Sequence, residues 1–313
     1  MVFVSLFYSI KLKLVIRNFI LTLILIVLFK ESYTQDTLNV KRLKTVVATE
    51  AIVYSATMVG LSQLWYKDQS SSNFHFFNDN DEWLYMDKVG HTMTSYYVGK
   101  VGYSALHWSG VNEKKSIWYG GTLGLIFLSS VEVFDGFSNG YGFSTGDMAA
   151  NAFGSGLFIG QQLGWKEQRI LLKYSFYPTD YAAKRPNILG ENFLQQSLKD
   201  YNGQTYWLSV NVASFLNEES KFPKWLNVAF GYGADGMLGG RNNEFISNNE
   251  YFNYSNIKRQ KQFYLSLDVD LTRIKTKNQL LAGFLNTFGF IKFPFPALML
   301  EESGAFKLLP IHD

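Results

Sequence analysis

Seven polar residues fall at helical spacings inside stretches that are otherwise apolar. Asp87 and His91 are four apart and share one helix face, with Ser95 one turn further on. Glu132 and Asp135 are three apart near the end of a second apolar stretch, and Asp147 and Asn151 are four apart at the start of a third. An ionised carboxylate in such surroundings is costly unless it is paired, hydrogen-bonded or bound to a metal. The economical solution is for these groups to meet. The spacing therefore predicts one polar cluster joining three helices.

Such a cluster admits two chemistries and one purely structural role. His91, Glu132, Asp135 and Asp147 offer the imidazole and carboxylate donors that a divalent metal takes. His91 with Glu132 and Asp135 could instead work as an acid–base set near neutral pH. In the structural reading Asp87 pairs with His91, Glu132 pairs with Lys88, and Ser144-x-x-Asp147 forms a capping box at a helix start. Asp87, Lys88, Ser95, Asp147 and Asn151 then serve as interhelical ties. The structural reading leads, with no cofactor required. Other candidates are weaker: His75 lies in a polar loop, His312 ends the chain, and His107 beside Trp108 suits a helix C-cap. Gly231-x-Gly233-x-x-Gly236 matches a dinucleotide fingerprint in letters only, with no helix or acidic partner following. Ser129–Ser130 lack the glycine-flanked elbow of a hydrolase nucleophile.

The elements that must position these residues run from Thr45 to about Trp165. Val46–Trp65 is a long apolar run, and Asp81 or Glu82 to Trp108 reads as a second helix with acid in its first turn. Ser116–Phe134 reads as a third and Asp147–Gly164 as a fourth, the last with Gly156, Gly160 and Gly164 on one face, a spacing that suits close helix crossing. The polar segment Gln69–Asn80 and the glycine-rich Gly136–Gly146 read as loops. From Arg169 the period changes to two. Tyr206–Ala213, Leu226–Gly233, Phe263–Leu271 and Ile170–Tyr177 read as half-buried antiparallel strands. Arg241–Lys261 reads as loop, Asn278–Phe290 as helix or strand, and Pro294 and Pro296 as its end. The predicted class is α+β: an apolar bundle of four to five helices (45–165), then a strand-rich region (169–313) with a small antiparallel sheet. Four strands are too few to close a membrane barrel.

Location follows from the first residues. Lys11, Lys13 and Arg17 precede an apolar run from Phe19 to Phe29, as in a secretory signal over residues 1–35, with an uncleaved membrane anchor as the alternative. Of 29 basic and 26 acidic residues, four and one fall in that segment, so the remainder is neutral and has no nucleic-acid footprint. The chain has no cysteine, which removes disulfides, thiolate metal sites and thiol nucleophiles. Aromatics reach 17%. Trp65, Tyr66, Trp83, Tyr85, Trp108 and Trp118 gather at the ends of apolar runs, as in a membrane-interface belt or an ordinary core.

Asp87-Lys88-x-Gly90-His91-x3-Ser95-Tyr96, then Glu132-x2-Asp135-Gly136-Phe137, then Gly142-Phe143-Ser144-x2-Asp147-x2-Ala150-Asn151-x2-Gly154 resembles the YfiM-like family of predicted periplasmic lipoproteins, a domain of unknown function. The order of motifs is more distantly similar to VanZ-like membrane proteins. The resemblance covers about Thr45–Gly164 and implies an envelope location with the polar positions grouped. This chain departs from the lipoprotein label in having no cysteine to acylate. The strand-rich tail resembles, in pattern, the two-faced strands of Bacteroidetes-type outer-membrane proteins. The expected function is that of a non-catalytic envelope component, structural or binding lipid or protein, in the periplasm or outer membrane. The alternative is a membrane-proximal hydrolase built on His91, Glu132 and Asp135. Expected partners are membrane or envelope components, with no nucleic acid and no identified small-molecule substrate.

Overall fold

The computed structural model describes residues 37–62, 70–247 and 249–312, so the predicted targeting segment, with Trp65 and Tyr66, lies outside the described residues. The helical part comprises α1 (Val40–Leu61), α2 (Met86–Trp108), α3 (Glu113–Gly121), α4 (Leu123–Gly136) and α5 (Thr145–Trp165). Helix α2 is the hub, packed on α3, α4 and α5. The expected single helix over Ser116–Phe134 is broken at Thr122, which caps α3 and precedes α4. Glu113–Gly136 is still long and apolar enough to cross a bilayer. Its buried residues Ile117, Gly124, Leu128 and Glu132 meet the other helices instead.

Close approach between helices depends on glycine, at positions other than the expected stripe. A Cβ on Gly124 would sit 2.1 Å from the Ser95 carbonyl oxygen, and one on Gly154 would sit 2.1 Å from that of Thr92. Backbones therefore touch on both sides of α2. Gly156, Gly160 and Gly164 instead have nothing within 4 Å among the described residues.

Helix α1 is tied to the end of α2 by Asn39 N–H donating to Ser109 O at 2.9 Å and by Arg42 stacked over Trp108. Burial pushes its Glu50 carboxyl up to about 7, and Glu50 Oε1 has no hydrogen-bond partner among the described residues. Unfolded glutamate titrates near 4.5, so the stability linked to the protonated form is complete below that pH and is lost as pH rises through about 7. Thermal unfolding should give a lower Tm at pH 8 than at pH 5, and Glu50→Gln should narrow that gap. An unchanged gap would trace the pH dependence to other groups.

The sheet is antiparallel and six-stranded: β1 (Ile170–Phe176), β2 (Gln204–Asn211), β3 (Leu226–Asp235), β6 (Gln260–Val269), β7 (Phe295–Glu301) and β8 (Phe306–His312), in that spatial order. A separate hairpin, β4 (Glu244–Ser247) with β5 (Glu250–Asn253), occupies the segment expected to be loop. Gln279–Thr287 is a helix. Strands β7 and β8 were not expected. Pro296 is accommodated in β7 because the register shifts between Phe295 and Ala297, a bulge that spares its missing N–H.

The strands are half-buried as expected, but the buried half is the polar one. Lys173, Ser175, Ser209, Asn211, Asn227 and Asp268 are all buried. Lys173 Nζ on β1 lies 2.6 Å from Asp268 Oδ2 on β6. Those strands are three inter-strand steps apart, roughly 14 Å across a flat sheet. The sheet must therefore be rolled, with these side chains on its concave face. Lys292 N–H donating to Tyr174 O at 2.9 Å brings the chain entering β7 back beside β1. Trp207, Ala229, Tyr264, Ala297 and Met299 fill the concavity.

Helices and sheet share two cores. Tyr96, Ile117, Phe158 and Ile159 pack with Leu172 of β1, and Met86 packs with Ala234 and Met237. Tyr97 Oη donates to Leu172 O at 2.5 Å. The strand-rich region thus braces the helix that carries the polar cluster.

Candidate functional site

Three elements deliver the cluster. Before α2 the chain makes a tight turn over Glu82–Tyr85 in which Trp83, Leu84 and Tyr85 all have positive φ, a conformation that costs energy for residues with a side chain. Trp83 N–H donates to Gly240 O at 2.7 Å, and Tyr232 donates its hydroxyl to Leu84 O, so contacts with the sheet side hold the turn. This turn starts α2 with Asp87 and Lys88 in its first turn and His91 one turn on. Glu132 comes from the buried face of α4, and Asp147 and Asn151 from that of α5.

At one end of the cluster Lys88 Nζ sits 2.7 Å from Asp79 Oδ1, 2.9 Å from Asp87 Oδ2 and 3.0 Å from Asp147 Oδ1. Burial alone would lower the Lys88 pKa, but Asp87, Asp79 and Asp147 outweigh it and hold the ammonium well above its ordinary value. Burial raises the Asp87 carboxyl despite Lys88. At Asp79 burial is outweighed by the hydrogen bonds from Lys88 and Ser144, which hold its carboxyl low.

At the other end stands Glu132, 1% exposed. Its Oε2 accepts the Ser144 backbone N–H at 3.1 Å, while Oε1 has no hydrogen-bond partner among the described residues. Burial, then the charge of Asp147, pushes its carboxyl up to about 8. Burial raises Asp147 to about 6, against the opposing pull of His91. Between the two ends lies His91. Its Nδ1 is 3.0 Å from Asn151 Oδ1 and 3.8 Å from Glu132 Oε1, and its Nε2 is 4.0 Å from Asp147 Oδ1.

The pairings differ in detail from those the spacing suggested. Lys88 pairs with Asp87 and Asp147 and is not the partner of Glu132, and His91 faces Asn151 and not Asp87. Half of the capping box forms: Asp147 N–H donates to Ser144 Oγ at 3.1 Å. The reciprocal acceptor for Ser144 N–H is Glu132 from a different helix, because Lys88 holds the Asp147 carboxylate. Ser95 Oγ donates to Asn151 O at 2.7 Å and meets Ser155 Oγ at 2.9 Å, stitching α2 to α5. Asp135 adds negative charge near Glu132, but its ligand atoms are outside the group formed by His91, Glu132 and Asp147.

Asp79 belongs to the cluster although it precedes any helix. Its signal in the sequence is slight: an acidic and amide run, Asn78–Asp81, just before a helix start. The remaining histidines stand apart. His75 Nε2 contacts Tyr141 O at 2.8 Å, and His107 stacks on Tyr103.

The molecule is thus an α+β protein in which an apolar helical unit encloses an ionic cluster and leans on a rolled sheet with polar residues inside. Residues 73–159 match the family described as predicted periplasmic lipoprotein (DUF2279), in agreement with the resemblance carried by the three motifs. Every member of the cluster, Asp79 included, falls in that segment, and the sheet falls outside it. The family's description agrees with an exported location in the cell envelope, in the periplasm or associated with the outer membrane. No curated protein and no solved structure matches the chain.

Proposed function

We propose that this protein is a non-catalytic envelope component that rests the convex face of its sheet in one leaflet of a membrane, the outer membrane being the natural candidate for an exported chain. One observation carries the reading. Leu208, Phe230, Leu265, Leu298 and Leu308 are direct cross-strand neighbours in an unbroken row over five strands, and every one is exposed. Val210, Val228 and Leu267 form a flanking row, and Tyr232, Phe263, Leu300 and Phe306 another. Apolar-out, polar-in alternation is how strands meet lipid.

Size points to one leaflet. Four inter-strand steps and four residue steps give a patch roughly 19 Å wide and 14 Å tall. That is about half of the ~30 Å hydrocarbon core of a bilayer. A hollow of about 340 Å³ among Leu265, Leu267, Pro296, Leu298 and Leu308 offers room for an acyl chain. The hydrolase reading has less support: Glu132 and Asp147 are sealed from solvent, and the Ser95 hydroxyl is spent on Asn151 and Ser155.

Flotation with liposomes of bacterial polar lipids tests the proposal. The purified chain should rise with the vesicles, and Phe230→Ser/Leu265→Ser should stay behind with an unchanged circular-dichroism spectrum, since both side chains are exposed. Each deletion removes about 1.5–3 kcal/mol of apolar burial in lipid. Equal flotation of both proteins, or a wild-type chain that ignores vesicles and dimerises through this face, would overturn it.

A further inference from the structure

The geometry points to a divalent transition-metal site, of the zinc class, held by His91, Glu132 and Asp147. We infer it from how the three donors are presented. One donor atom from each lies within 4.8 Å of the other two. Two of the three side chains are oriented by a partner that leaves another ligand atom free. Asn151 Oδ1 accepts from His91 Nδ1 at 3.0 Å, leaving Nε2, and Ser144 N–H donates to Glu132 Oε2, leaving Oε1, while Lys88 Nζ steadies Asp147 at Oδ1, the oxygen that also faces His91. Outer partners of this kind fix ligand tautomer and direction in metal sites.

Two further observations call for a cation in the gap. With Nδ1 donating to Asn151 Oδ1, His91 Nε2 stands 4.0 Å from Asp147 Oδ1, too far for a direct hydrogen bond and wide enough for an ion to sit between the two atoms. Glu132 Oε1, on a side chain almost wholly buried, has no hydrogen-bond partner among the described residues and lies 3.8 Å from His91 Nδ1. The ammonium of Lys88 is bound at the far end by Asp79, Asp87 and Asp147, which leaves Glu132 with no lysine or arginine partner among the described residues. A divalent ion between His91, Glu132 and Asp147 supplies the missing positive charge with a borderline nitrogen and two hard oxygens, a donor set that suits zinc. The His91 side chain, 23% exposed, is the most open of the three and marks the side from which an ion would enter. The site is independent of the lipid-facing sheet, which lies on other elements.

Isothermal titration of the chelator-treated full chain with Zn²⁺, and its Tm with and without Zn²⁺, test the assignment. The expected result is one ion per chain and a raised Tm. His91→Ala and Glu132→Gln should each weaken binding about tenfold or more, as loss of a ligand or its outer support does. Glu132→Gln keeps the shape and the acceptor for Ser144, so it remains informative if His91→Ala folds poorly. His107→Ala, at the other end of α2, should bind as wild type does. Absence of stoichiometric Zn²⁺ binding by the wild-type chain, or binding by Glu132→Gln equal to wild type, overturns the site. Loss in His107→Ala equal to that in His91→Ala overturns it too, by marking the uptake as nonspecific.

Discussion

Lys173→Met should destabilise the protein by about 3–5 kcal/mol, the cost of leaving a buried charge without its partner. Both side chains of the Lys173–Asp268 pair are fully buried, at 2.6 Å separation. Lys173 Nζ also donates to Val269 O at 2.7 Å, so the ammonium binds β1 to the far side of the rolled sheet twice. Asp268 is equally committed: Oδ2 accepts from Ser209 Oγ at 2.7 Å and Oδ1 from Phe293 N–H at 3.1 Å. Removing the lysine strands a carboxylate that has no route to water. Lys173→Met/Asp268→Asn should recover most of the loss, because the charge is gone, the amide oxygen still accepts from Phe293 N–H and the amide NH2 can donate to Ser209 Oγ. Urea midpoints of the wild type, single and double variants measure this directly. A single variant within about 1 kcal/mol of wild type, the range typical of exposed pairs, would mean that the pair is not sealed.

That ion pair also marks where the sequence stops being legible. Period-two alternation gives the strands, because side chains on a strand alternate between faces whatever lies on each side. It does not say which face is the inside. In Gln260–Val269, Leu265 and Leu267 look like core and Asp268 like surface, yet Asp268 is wholly buried and both leucines are exposed. The direction is set by the partner of β6 across the roll, Lys173, which lies far away along the chain. Strands β7 and β8 were hidden for a related reason. Prolines and acidic residues argue against strand locally, and only the bulge at Phe295–Ala297 makes room for Pro296. The helices were easier, since apolar runs with polar residues at four-residue spacing fix both the element and its buried side. The break at Thr122, which they did not announce, lies beside Gly120 and Gly121, which are pressed against α2 and α5. Propensity cannot register such a contact. The meeting of His91, Glu132, Asp147 and Asn151 was legible because buried charge has few alternatives. Asp79 was not, because a loop residue has no period to betray its direction.

Lys88→Ala should be the most damaging change in the helical unit and also the most instructive. Its ammonium lies within 3.0 Å of carboxylate oxygens on Asp79, Asp87 and Asp147, and its side chain is only 11% exposed. Without it three acidic groups face one another in a site that burial already makes unfavourable for charge. A loss of about 3–5 kcal/mol is expected for breaking a buried pair of this kind. The donors of those three side chains lie within 4.8 Å of one another, an all-oxygen set once the lysine is gone. Hard oxygen ligands select Ca²⁺ or Mg²⁺, and truncation to alanine leaves the volume to hold one. Millimolar Ca²⁺ should therefore raise the Tm of Lys88→Ala well beyond any effect on the wild-type chain, in which the ammonium occupies that position. Lys88→Met, which fills the space with methylenes, should lose stability similarly and gain little from Ca²⁺. Equal responses of the two variants would mean that the acidic groups spread apart when the lysine is removed. In that case Lys88 does more than neutralise Asp79, Asp87 and Asp147. It holds the loop before α2 against the start of α5.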